Sequence, residues 1–171
     1  MEDLIIVVLR LLHIVMGALW FGVGVCAAWV LMPAAERMGD KGFAMLRTFY
    51  ISTRFNMLMP IVSIGTTLVG VILWILRSSS ITNLEAFTST GDLVMIFGAL
   101  MGLAAFGHGG AATGKYADEF AALAQTYEEN PTEENLKTLQ AVKEKVRIHS
   151  NISAWMVLIA ILCMSSARYL A

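Results

Sequence analysis

Apolar residues fall in four long blocks separated by polar connections. The blocks are Leu4–Leu31, Met57–Leu76, Leu93–Ala112 and Ser150–Ala167, of 28, 20, 20 and 18 residues. A run of about 18 or more apolar residues crosses the ~30 Å hydrocarbon core of a bilayer as a helix. The pattern therefore predicts an all-α fold: an integral membrane four-helix bundle in a single membrane domain spanning residues 1–171.

The connections differ in character. Ser78–Gly91 is short and polar and reads as a loop, with Gly91 and Asp92 opening the third span. Pro33–Phe55 mixes apolar and polar positions; Ala34, Met38, Phe43, Leu46, Phe49 and Tyr50 predict a short amphipathic helix lying at the membrane interface. Lys115–His149 has helical periodicity on both sides of Asn130-Pro131-Thr132: Phe120, Leu123 and Tyr127 before it, Leu136, Leu139, Val142 and Val146 after it. Thr132 followed by Glu133 and Glu134 marks a new helix start. Spans 3 and 4 thus extend into a helical hairpin over about 115–149, which either packs on itself or offers a surface to a partner subunit or a second copy.

Composition and charge sharpen this picture. The chain is 57% hydrophobic with a mean hydropathy of +0.69 and only 15% charged residues, against roughly 25% in a soluble domain. The 86 residues of the four blocks contain one charged side chain, Arg10. A soluble enzyme is excluded. So is a nucleic-acid binder, because the net charge is −1 and no basic patch exists. The first block is too long for a cleaved signal, follows an acidic start (Glu2, Asp3) and lacks an A-x-A-like site, so it is expected to be retained. Nine of the twelve Lys and Arg residues lie in the segments after spans 1 and 3. The positive-inside rule then places both termini outside a cell (inner) membrane and segments 32–56 and 113–149 in the cytoplasm. Cys26 and Cys163 fall in opposite halves of the bilayer under this topology; each reads as a small buried residue and no disulfide is expected.

Helices associate in lipid through small and polar residues, and each span carries such a stripe. Span 1 has His13, Gly17, Trp20/Phe21, Gly24 and Ala28. Span 2 has Asn56, Pro60, Ser63, Thr67, Gly70 and Trp74. Span 3 has Gly98, Met101, Ala105, His108 and Ala112, and span 4 has His149, Ser153, Met156, Ala160, Cys163 and Ala167. All three histidines lie on these stripes, and an ionisable residue facing a bundle interior marks a candidate site. Each has a plain alternative: His13 as an interhelical hydrogen-bond donor, His149 as a residue near the membrane surface. His108 sits in Gly107-His108-Gly109-Gly110, where the glycines are expected to clear space for a bulky group.

Imidazole within an apolar bundle suits a b-type haem, one or two, with axial histidine and small residues beside the macrocycle. His13, His108 and His149 are the ligand candidates. Arg10 near His13, and Arg54, Lys115 and Arg147 near the other pair, are the candidate partners of the propionates. Depth along the helices separates His13 from His108 by about 10 Å, which leaves two sites, or one site with an open position, as alternatives to a single shared haem.

Leu12-His13-Ile14-Val15-Met16-Gly17-Ala18-Leu19-Trp20-Phe21-Gly22 resembles the first span of small membrane proteins of the CopD-like and HemJ-like group, as do the basic loop after it and His108, Gly114 and Lys115 in span 3. The resemblance implies a helical bundle with His13, and more loosely His108, as haem or metal ligand. HemJ-like members are implicated in protoporphyrinogen oxidation with haem bound, and CopD-like members in copper uptake.

Three readings follow. One is a haem-b protein passing electrons to a quinone or another redox partner. The second is copper handling, with His13, Met16 and Met101 as donors. The third is a structural subunit of a larger complex. No phosphate-binding glycine loop and no Ser-His-Asp set is present, since the spans hold no acid to orient a histidine.

Overall fold

A computed structural model describes residues 2–78 and 88–170, and every segment of secondary structure among them is helical. In chain order these are α1 (Glu2–Val25), α2 (Met32–Arg37), α3 (Asp40–Arg47), α4 (Phe55–Ser78), α5 (Thr90–His108), α6 (Lys115–Glu129) and α7 (Glu133–Ser166). Wider π turns at Cys26–Leu31 and Gly109–Gly114 join α1 to α2 and α5 to α6 without a break, and a third, Thr48–Ser52, extends α3. Four continuous helices, Leu4–Arg37, Phe55–Ser78, Thr90–Glu129 and Glu133–Tyr169, are long and apolar enough to cross a membrane. The chain is an all-α, multi-pass membrane protein built on a four-helix bundle. Helices 1, 3 and 4 run well past their apolar blocks, because apolarity records where lipid is met while helix formation continues through good helix formers.

The helix ends carry their own chemistry. Ser89 caps α5: its hydroxyl accepts from the Asp92 amide at 3.1 Å, while the Asp92 carboxylate accepts the Ser89 amide and hydroxyl in return. This reciprocal capping box is joined by an ion pair from Arg77 at the end of α4 to Asp92. The rest of the expected 78–91 loop lies mostly outside the described residues. Thr132 caps α7 by accepting the Asn135 amide at 3.2 Å, as the Thr132-Glu133-Glu134 signature predicts. Gly39 turns the chain between α2 and α3 with φ +59, a left-handed conformation that glycine adopts without Cβ strain.

Two compact units are distinguishable, and each is described by itself. The first comprises Met1–Phe21, Ile61–Phe106 and Trp155–Ala171. Its helices meet through small residues. A Cβ at Gly98 would stand 2.9 Å from Cys163 Cβ and 3.1 Å from the Ala160 carbonyl oxygen, so α5 and α7 approach closely only because position 98 is glycine. Large apolar side chains such as Leu4, Leu11, Ile61 and Leu93 point outward, as expected where lipid is the solvent.

The second unit comprises Gly22–Pro60 and Gly107–Ala154 and holds the apolar core. Phe120, Leu139 and Val146 of the hairpin are fully buried against Met32, Phe43 and Leu46. Phe43 meets Tyr127 edge-on at 6.1 Å, and Arg47 pairs with Glu128 at 2.6 Å. The amphipathic helix expected at the membrane interface is therefore a helix packed on the hairpin. Its Phe43–Leu46 face and the hairpin's apolar stripe are both too large to leave uncovered, and each covers the other. Gly42 lets α3 lie close against α2: a Cβ there would lie 1.9 Å from the Ala35 carbonyl oxygen. Both cysteines are free; Cys26, expected to be buried, is exposed, and Cys163 is half-buried.

Candidate functional site

The three histidines fall into two settings, one in each unit. In the first unit, α1 meets α4 through His13, Met16 and Gly17. The Nδ1–H of His13 donates to the Thr66 carbonyl oxygen at 2.9 Å. A carbonyl can only accept, so the ring proton is fixed at Nδ1 and Nε2 is left with its lone pair. The ring lies over Gly70: a Cβ there would be 2.8 Å from His13 Cε1, too close for any side chain. One turn along, Met16 Sδ fills the space beside Gly65, 2.5 Å from where a Cβ would stand. Thr66 is buried, its hydroxyl returned to the Val62 carbonyl at 2.6 Å. Gly70 thus faces α1 as the stripe of span 2 predicts, while Thr66 faces it where Thr67 is expected.

In the second unit, His108 closes α5 and His149 lies in α7. Their rings are hydrogen-bonded to each other, His108 Nε2 to His149 Nδ1 at 3.0 Å. His108 Nδ1 meets Ser153 Oγ at 2.9 Å; Ser153 Oγ meets Thr113 Oγ1 at 3.0 Å; and the Thr113 hydroxyl donates to the His149 carbonyl at 3.2 Å. Tyr116 stacks on the His149 ring at 4.9 Å. The π turn at Gly109–Gly114 assembles this group. Five residues of α-helix place two side chains about 140° apart, whereas five residues of a π turn leave them about 50° apart. His108 and Thr113 therefore share a face. A Cβ at Gly107, Gly109 or Gly110 would meet nothing within 4 Å. Paired glycines weaken the α-helix by about 1 kcal/mol each, which suits a π turn at this point.

The two settings differ in their fitness for an iron or other metal. His13 has the arrangement common to metal-bound imidazoles, one ring nitrogen donating to a backbone carbonyl and the other without a hydrogen-bond partner among the described residues. His108 and His149, as arranged, do not fit opposite faces of one haem. Their facing nitrogens are hydrogen-bonded to each other at 3.0 Å, which leaves no room for an iron between the rings. Among the described residues no three of His, Cys, Asp and Glu are grouped to hold one metal ion.

The cationic candidates are equally distinct. Arg10 and Arg54 are exposed. Lys115 is exposed, its ammonium group 5.8 Å from the Tyr116 ring. Arg147 is paired with Glu144 and reaches Glu36 at 3.9 Å, so it is not a free cation. Thr66, Thr113 and Tyr116 lay outside the residues singled out by sequence. Thr66 carries no signal beyond lying one position from the expected stripe, and Thr113 and Tyr116 follow a change of helical pitch.

No protein-family model, no curated protein and no solved structure matches the chain.

Proposed function

We propose that the chain is an integral membrane protein that binds haem b through His13 and serves electron transfer, with a quinone or another redox carrier as partner. The observation that carries the reading is the His13–Thr66 hydrogen bond, which fixes the ligand tautomer and leaves Nε2 bare over Gly70. Bound there, haem would supply a one-electron redox centre. His13 would hold the iron, with the Thr66 carbonyl orienting the ring and raising its basicity and Gly70 giving the ring its room. Arg10, exposed and three residues before His13, is the cation for a propionate. The resemblance of the first span to the CopD-like and HemJ-like group supports the same residue. The distribution of Lys and Arg supports an orientation with both termini outside an inner membrane and segments 32–56 and 113–149 in the cytoplasm.

A second reading, capture of a soft metal such as copper, is favoured by one contact. Met16 Sδ lies against Gly65 on the same face as His13, three residues away, and a thioether beside an imidazole suits copper. The absorption spectrum of the purified full-length protein separates the two. A Soret band with an α-band on reduction is expected for haem. Stoichiometric copper in a colourless protein favours the second reading, and protein without either contradicts both.

A further inference from the structure

The group around His108 and His149 admits one consistent placement of its protons. The Thr113 hydroxyl donates to the His149 carbonyl, which can only accept. Its single hydrogen being committed, Thr113 Oγ1 accepts from the Ser153 hydroxyl. The Ser153 oxygen then accepts from His108 Nδ1–H. This leaves His108 Nε2 bare, so His149 Nδ1–H donates to it. The chain of donors runs in one direction, from the His149 ring back to the His149 backbone. Of the four ring nitrogens it leaves one without a hydrogen-bond partner among the described residues, His149 Nε2, which carries a lone pair.

We propose that His108 and His149 form a binding site for a single proton within the spanning helices, and that the proton enters at His149 Nε2. Uptake from water forms one N–H bond and breaks none; every hydrogen bond of the group is kept. The resulting imidazolium shares its charge with His108, because the Nδ1 proton can cross the 3.0 Å N–H···N bond and return His149 to the neutral state with its proton on Nε2. A second proton has no place. It would have to take His108 Nε2, break the ring-to-ring bond and set two cations side by side.

The surroundings fit this capacity. Tyr116 lays its ring on His149, the two planes 26° apart, and offers a π face to the cation. Lys115 and Lys145 stand over the same Tyr116 ring, 5.8 and 5.2 Å from its centroid, and oppose positive charge on the pair, the first proton as well as a second. Arg147, two residues before His149, is drawn to Glu144 and Glu36. No carboxylate contacts the imidazole pair among the described residues, so the proton is held by the two rings themselves. Nothing in the assignment depends on haem at His13.

The test is nitrogen NMR of the full-length protein, labelled at histidine and held in lipid bilayers. The chain has three histidines, so each ring is resolved by comparison with His13→Gln. The expected result is a nitrogen–nitrogen coupling between His149 Nδ1 and His108 Nε2, with His108 protonated at Nδ1. On acidification the bare nitrogen of His149 gains a proton and the pair takes up one proton in all. Ser153→Ala, a small change on a helix, should abolish the single tautomer of His108. Absence of the coupling, uptake of two protons or of none, or an unchanged His108 tautomer in Ser153→Ala would overturn the proposal. The coupling in the unmutated protein decides alone if the variants fail to fold.

Discussion

The imidazole of His13 occupies the volume that a side chain at position 70 would need, its Cε1 standing 2.8 Å from an ideal Cβ on Gly70. Two helices thus share one space, and the ring's orientation depends on a residue that has no side chain. Gly70→Ala is expected to push the ring off the Thr66 carbonyl and cost about 1–3 kcal/mol through overpacking. Pigment content should fall with it. Gly22→Ala is the control, since a Cβ there meets nothing within 4 Å. Thermal unfolding of the two purified variants, followed by circular dichroism, checks the difference.

Gly98 and Gly107 lie on the same helix and predict opposite outcomes. The Ala160 backbone oxygen 3.1 Å from a Cβ at position 98 cannot give way as a flexible side chain can. Gly98→Ala should therefore lose about 1–3 kcal/mol. Gly107→Ala enters open space and should be neutral or gain up to about 1 kcal/mol from helix propensity. Titration with a denaturing detergent ranks them.

Phe43 anchors α3 to the hairpin through Phe120 and Tyr127. Phe43→Ala should cost about 3–5 kcal/mol and release residues 38–54 to protease, while leaving α1 and α4 protected. Mass mapping of limited-digestion fragments reads this directly. Equal cleavage of the variant and the parent protein would refute the docking.

Tyr50 is buried, which pushes its hydroxyl up to about 12, with the Ser150 hydrogen bond offsetting part of the effect. A folded value above the ordinary phenol value of about 10 means that folding favours the neutral form. That contribution is intact below about pH 10 and is lost as the pH rises towards 12. At about pH 11 the folded protein should show one tyrosinate fewer than the unfolded chain by ultraviolet absorbance. Tyr50→Phe should abolish the difference.

The spans, their small-residue contacts and the hairpin turn are legible in the sequence because each follows from a local rule. Apolar length marks the lipid, Gly98 against Ala160 marks a close approach, and Thr132 marks a helix start. The His108–Ser153 contact also lies on the predicted stripes. What escapes is non-local or depends on pitch. Thr113 reaches His149 only because the chain changes from α to π geometry at Gly109, and a 3.6-residue reading turns it away. The Phe43 face looks the same in sequence whether lipid or another helix covers it. Backbone partners such as the Thr66 carbonyl leave no mark in side-chain patterns at all.

The assignment of His13 as the haem ligand is tested most directly by counting haem per chain in purified His13→Ala beside the parent protein, with His149→Gln as a second control. The account predicts close to one haem in the parent and in His149→Gln, and almost none in a His13→Ala protein that retains its helical circular dichroism. Full retention of haem by folded His13→Ala, or a parent protein without haem, would contradict it.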